Sequence, residues 1–405
     1  MRIFSSIFSF LIFWSLSLPL LAQREIVIEG DRGTGIAGLE YTGFNARAGD
    51  GREFYDSLRR NLEISGYFRE TPPSEAQLSL RGEAGTQGDQ LRVMIEIVTR
   101  GNNQRRFARG YAIENGRGRA LARRVADEIL KDMHNAEGFA RKRIIFVGTP
   151  AGEQSKELFA VFPDGGDLVK LTSFGSVVLG PRWTPDGESV VYTSYHRRFP
   201  EVVRQNLRSG TLDILSSSSG MNTGGAISPD GRYSALVLSR DGRPELYVKD
   251  LRTQRLARMT TTPPSAKSSP SWSPDGRQIV FVSGHQGRPH LYVVGRDGGE
   301  PQRITRGGAE NLSPVWGKNG QIAFTRRVGR TYQTAILDPR TQEVRTVSPE
   351  DANYEDPSWA PNGRHLVVTR TINNQSSLYL LDTRGSPPIP LLRERGNWYM
   401  PTWSP

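Results

Sequence analysis

Ser271-Trp-Ser-Pro-Asp-Gly276 is one of six copies of a short phrase in the C-terminal two-thirds of this 405-residue chain. The others are Pro181-Arg-Trp-Thr-Pro-Asp-Gly187, Ala226-Ile-Ser-Pro-Asp-Gly231, Val315-Trp-Gly-Lys-Asn-Gly320, Ser358-Trp-Ala-Pro-Asn-Gly363 and the terminal Pro401-Thr-Trp-Ser-Pro405. The shared proline position falls at 185, 229, 274, 361 and 405, with Lys318 in the remaining copy, so the period is 43 to 45 residues. A period near forty with a tryptophan and a Gly turn per unit marks a bladed, ring-shaped β fold.

Three further phrases run in step with the first. A β-branched stretch of period two follows each turn, as in Val190–Ser194, Ile279–Ser283 and Leu366–Arg370. Then comes a strand such as Glu245–Asp250, His290–Val294 or Ser377–Asp382, a polar turn such as Asp164-Gly-Gly166, and a short outer strand such as Val169–Thr172. Four strands per repeat make one blade. Ile144–Gly148 reads as a second strand with no first strand before it, and Thr402–Pro405 as a first strand with nothing after it. Joined, they complete one blade, so the sequence predicts six blades closed by the C-terminal strand, a device that leaves no open sheet edge. Trp183, Trp272, Trp316, Trp359 and Trp403, with Ile227 in the odd copy, are expected to pack between blades.

Residues 1–22 are an apolar, Ser-spaced run behind Arg2, with Pro19-Leu-Leu-Ala22 before Gln23. This reads as a secretory signal cut after Ala22, with an uncleaved anchor as the alternative. Residues 23–138 lack the repeat. Arg24–Glu29 alternates like an edge strand, and Asp50-Gly-Arg-Glu53 matches a capping box before the helical stripe Phe54, Leu58 and Leu62. Strands over 76–81, 91–99 and 104–112 and a second helix opening at Asn115, with Leu121, Val125, Ile129 and Met133 on one face, complete a small α/β domain. The expected fold class is thus a two-domain protein, α/β then all-β, with the propeller over residues 139–405.

The 53 Lys and Arg against 42 Asp and Glu give a net charge of +11, but the longest basic run is Arg141-Lys-Arg143. That pattern is a solvated arginine-rich surface, and no nucleic acid is expected as a partner. With Cys 0, disulfides and thiol chemistry are excluded. Gly33-Thr-Gly-Ile-Ala-Gly38 spells a dinucleotide fingerprint, but a strand-like stretch follows where a helix would be needed. The five histidines are dispersed, and His285 and His290 are too few for a metal site. No cofactor or metal is expected.

The repeat phrase, the leader, the small α/β domain with its helix ending in Ser65-Gly-Tyr-Phe68, and the terminal Trp403-Ser-Pro405 together resemble the TolB family, periplasmic propellers of the Tol–Pal cell-envelope system. The leading domain is shorter and richer in arginine than that family's pattern. The resemblance implies a non-catalytic periplasmic adaptor that acts as a monomer and touches membranes only through its partners. It implies binding of the peptidoglycan-associated lipoprotein Pal on one propeller face, and of TolA through the N-terminal strand Arg24, Glu25, Ile26, Val27 and Ile28, by strand addition. The alternative for that strand is packing on its own domain. The system's role would be outer-membrane integrity and constriction at division.

Strand alternation places the loops before each Trp phrase on one face and the Pro-Asp-Gly turns on the other. The family's Pal contacts map onto the first face, at Tyr195, His196, Met221, Asn222, Gly224, Ser268, Ser269, Asn311, Tyr354, Glu355, Trp398, Tyr399 and Met400, although a histidine is expected where Met221 stands. Trp398-Tyr399-Met400 lies outside the core register, which suggests an aromatic anchor for the partner. The competing reading is a hydrophobic plug of the ring's own channel. The rival function is a propeller that binds or hydrolyses a small ligand in that channel.

Overall fold

Each repeat folds into one antiparallel four-stranded sheet, because every turn glycine sits where a left-handed backbone reverses the chain: Gly187, Gly231, Gly276, Gly320 and Gly363 all have φ between 65° and 82°. In the computed structural model, residues 35–405 are described apart from Arg198, 262–264 and Gln286. Blade 1 joins Gly396–Trp403 to Ile144–Pro150, Glu157–Val161 and Val169–Lys170. Blades 2 to 6 begin at inner strands Val178–Trp183, Asn222–Ile227, Lys267–Trp272, Asn311–Trp316 and Asn353–Trp359, and each continues outward in sequence order. The expected closure is present: Thr402 pairs with Ile145 and Trp403 with Ile144. Beyond that pair, Ser404 N–H donates to the Arg143 carbonyl at 2.8 Å and Lys142 Nζ to the Pro405 carbonyl.

The repeat tryptophans tie neighbouring blades. Trp183, Trp272 and Trp359 donate their indole N–H to the carbonyls of Thr402, Ala226 and Val315, each on the inner strand of the preceding blade. Trp316 departs from the pattern and donates to Gly320 of its own turn at 3.1 Å. Between these ties, alternate strand residues fill the blade interfaces, as with Leu246, Trp272, Phe281 and Tyr292 between blades 3 and 4.

The leading domain is a five-stranded sheet of β1 (Ala37–Ala46), β2 (Phe68–Glu70), β3 (Leu78–Gln87), β4 (Gln90–Thr99) and β5 (Arg105–Glu114), in the order β2-β1-β3-β4-β5. Helices α1 (Asp50–Ile64) and α2 (Gly118–His134) cover one face and bury Phe54, Leu58, Leu62, Leu121, Val125 and Ile129 against Leu91, Val93, Ile95 and Ile97. The strand over β1 removes the helix that a dinucleotide fingerprint requires. Two expectations at the helix starts are corrected. The α1 N-cap is Gly49, with no side-chain cap; Asp50 instead accepts from the Gly116 and Gly118 amides at 3.0 and 2.7 Å and so caps α2. Asn115 lies before α2 and donates to the Gly88 carbonyl, bracing the β3–β4 turn. Both arise because the two helices start side by side, where one carboxylate serves the free amides of its neighbour.

This domain docks on the turn face, over blades 1 and 6. Arg123 of α2, buried with only 2% of its side chain exposed, forks onto Asp164 at 2.9 and 3.0 Å and reaches Asp167 at 2.6 Å. Its guanidinium lies 3.8 Å from the Phe162 ring centre, and Ser57 of α1 also donates to Asp164. A second latch is Arg364, which pairs with Asp382 at 2.6 Å and donates to the Gly66 carbonyl at 2.8 Å. The signal and the Arg24–Ile28 strand lie outside the described residues. Among the described residues no helix is long and apolar enough to cross a membrane.

Candidate functional site: the loop face of the propeller

The described part of the leading domain docks on the turn face at blades 1 and 6, so among the described residues the loop face is open, and its chemistry depends on which loop side chains point outward. Ser194, Glu201 and Ser216 end three adjacent strands of blade 2 on this face, and Ser216 Oγ donates to Asn222 at 2.7 Å. Tyr195, Phe199 and Met221, which flank these ends, are 43, 65 and 45% exposed. They stand on the β-strand-flanking loops of blade 2 and at the start of blade 3, and exposed apolar side chains on a polar face are the usual mark of a docking surface. His196 beside them lies 4.7 Å from the Phe174 ring, which holds the loop down. Around the face stand exposed Arg240, Arg243, Arg288, Arg306, Arg330 and Arg395.

The other expected site residues are mostly framework. Asn222 is wholly buried; its carboxamide accepts from the Ser218 amide and donates to the Ser218 and Gly220 carbonyls, bracketing the loop that presents Met221. Asn311, 2% exposed, bonds the Ala309 carbonyl and His290 Nδ1. Tyr354 is 1% exposed, its hydroxyl donating to Asp351 and accepting from Arg370; burial first, and then Asp351, push the phenol up to about 12. Glu355 is half-buried, and burial raises its carboxyl, with Asp356 adding to the effect. Ser268 is half-buried at the mouth of the channel, beside Ser269 on the channel wall.

Trp398 requires a correction. It is not an exposed anchor but 3% exposed, packed edge-on against Phe146 and Phe159 at 5.7 and 5.5 Å, with its N–H on the Glu394 carbonyl. It belongs to the seam between blades 6 and 1, and it does not plug the channel either. The reason is geometric: the blade 1 inner strand runs from Gly396 to Trp403, so Trp398 lies in the ladder opposite Gly148, whose missing side chain makes room for the indole. Tyr399 is half-buried, its hydroxyl bonded to Thr149 at 2.8 Å and its ring under Lys156 Nζ.

The inner strands carry one more regularity. Five residues before the repeat proline position, Gly180, Gly224, Ser269, Ser313, Asp356 and Met400 all have positive φ, between 47° and 93°. Each lies at a register shift against the second strand. A bulge in every blade thus shapes the channel mouth. Its sequence signal is faint, since only two of the six residues are glycine. Phe199 was missed for a similar reason: it falls in a loop of variable length, outside the repeat register.

A family profile described as the TolB beta propeller domain matches residues 130–405. The Tol-Pal system protein TolB of Gluconobacter oxydans is 28% identical over 344 residues, 80% of this chain and 76% of that protein. The protein of the same name from Desulfotalea psychrophila is 25% identical over 250 residues, 58% of this chain and 55% of its own length. Among solved structures, TolB from Acinetobacter baumannii superimposes with a TM-score of 0.82 at 24% identity, covering 91% of this chain and 97% of that one. With the profile spanning most of its length and the same closed ring, this chain belongs to the TolB β-propeller family.

Proposed function

We propose that this protein is a non-catalytic adaptor of the Tol–Pal system in the periplasm, which docks the lipoprotein Pal on its loop face and TolA through the strand Arg24–Ile28. The observation that carries the reading is the placement of the leading domain: it docks on the turn face over blades 1 and 6, and among the described residues the loop face is free, with Tyr195, Phe199 and Met221 exposed. The names of the related proteins supply the system. An apolar centre with an arginine rim suits a partner that presents aliphatic or aromatic groups among carboxylates. Buried contacts at the centre of such a patch set affinity, whereas the rim sets association rate and salt dependence.

The combined substitution Tyr195→Ala, Phe199→Ala and Met221→Ala is expected to weaken Pal binding by ~100-fold or more, on the order of 3 kcal/mol for a central patch. The thermal midpoint should stay unchanged, because all three side chains are exposed. Calorimetric titration with purified Pal checks this; unaltered affinity in the triple variant would remove the loop face as the docking surface. For TolA, a chain lacking residues 23–28 should keep Pal binding and lose TolA, and retention of both would reject the strand assignment.

A further inference from the structure

The six-fold repeat sets six side chains at each level of the central channel, so a residue that breaks the pattern stands out. Three residues before the repeat proline position, five blades carry Ala226, Ser271, Val315, Ser358 and Thr402, all small or β-branched. Blade 2 carries Arg182. Ser271 and Ser358 turn into the wall, each accepting the backbone N–H of the next blade's tryptophan at 3.0 Å. Arg182 has no such use: among the described residues no hydrogen bond or ion pair reaches its guanidinium. It lines both the cavity on the loop side and the one on the turn side, so it crosses the waist of the channel.

At the level of the bulges, the one charged member of the ring is Asp356, facing Gly180, Gly224, Ser269, Ser313 and Met400. Ser313 Oγ donates to its Oδ1 at 2.8 Å, which leaves the second carboxylate oxygen for another partner. Arg182 and Asp356 are not in direct ion-pair contact, yet each acts on the other. Burial depresses the guanidinium and raises the carboxyl, and the facing charge offsets part of each shift. Between them lies a cavity of about 220 Å³, walled by Thr223, Ser269, Pro357 and Met400. That is below the ~300–1,000 Å³ of sites for drug-sized ligands, so the occupant has few heavy atoms. A lone cation or a lone anion would leave one of these two half-buried charges uncompensated, which is costly in a narrow channel.

We propose that this cavity binds a compact zwitterion of the free α-amino-acid class, its carboxylate on the Arg182 guanidinium and its ammonium on the Asp356 carboxylate. The guanidinium fork matches a carboxylate with two parallel hydrogen bonds. The inference stands independently of the docking reading, since none of its residues belongs to the Tyr195–Phe199–Met221 patch.

Calorimetric titration of the full mature chain with glycine and with L-alanine tests it, using acetate and methylammonium as single-charge controls. Both amino acids should bind at one site, with the controls at least ~tenfold weaker because each satisfies one charge only. Arg182→Met and Asp356→Asn should each weaken glycine binding at least ~tenfold. Arg182→Lys, which keeps the charge without the fork, should fall between and guards against loss of folding in the methionine variant. No heat with either amino acid, acetate binding as tightly as glycine, or glycine affinity unchanged in both Arg182→Met and Asp356→Asn would overturn the proposal.

Discussion

Trp398 shows how far a residue can be read before its neighbours are known. Its distance from the repeat tryptophan suggested a loop, but bulged inner strands begin earlier than the repeat phrase and draw it into the blade 6–1 seam. Truncating a buried indole costs about 3–5 kcal/mol, so Trp398→Ala should lower the thermal midpoint markedly while Pal affinity per folded molecule is retained. Denaturant unfolding beside calorimetry separates the two effects; a stable variant with lost affinity would return Trp398 to the docking surface. Asp50 is a second case. Its place before a helical stripe was legible, but the helix it caps was not, because the partner amides of α2 lie 66 and 68 residues away. Asp50→Ala should cost ~1 kcal/mol in a denaturant titration, and the loss should fall on α2, seen as faster amide exchange at its first turn.

At the scale of elements, the seam between α2 and blade 6 joins two histidines to the Arg364–Asp382 latch. His365 packs 4.8 Å from the Phe139 ring, and burial drives its imidazole down to about 3; burial also brings His134, at the end of α2, down to about 4. The Nε2 atoms of both are buried without a hydrogen-bond partner, so protonation would bury an unpaired charge. Their folded affinity for protons lies below the unfolded value near 6.5, so below that pH the unfolded chain binds protons that the folded chain refuses. Asp382, held at about 2 by the hydrogen bonds of Arg364 against the opposing effect of burial, adds a loss below its unfolded value of 3.8. Stability should therefore fall as pH drops from about 6.5 toward 4, and keep falling below that as Asp382 takes over from the two histidines. His365→Gln should flatten the upper part of the decline, measured as thermal midpoint against pH; an unchanged slope would acquit this seam. The other latch answers to the same physics. Arg123→Met would leave Asp164 buried without its cation, at a cost of ~3–5 kcal/mol, and amide exchange should rise along α2 before it rises in the blades.

The ring is closed by its last strand, so the whole molecule depends on its final residues. Removing 401–405 would delete the pairs of Thr402 and Trp403 with Ile145 and Ile144 and leave the Ile144–Ile145 end of that strand edge bare. The truncated chain should unfold at a much lower denaturant midpoint and aggregate, as light scattering would report. That closure, the six blades, the between-blade role of the repeat tryptophans and the two helical stripes of the leading domain were determined by the sequence alone. They rest on local periodicity, and a period of 43 to 45 residues leaves few ways to stack identical units. Where the leading domain sits, which loop side chains reach solvent and which repeat-breaking residues meet in the channel were decided by the tertiary structure. Arg123 and Asp164, 41 residues apart, and Arg182 and Asp356, in non-adjacent blades, carry no shared period in the chain. Their encounter comes only from ring closure and domain docking, which bring distant charges into one low-dielectric space where they act on each other.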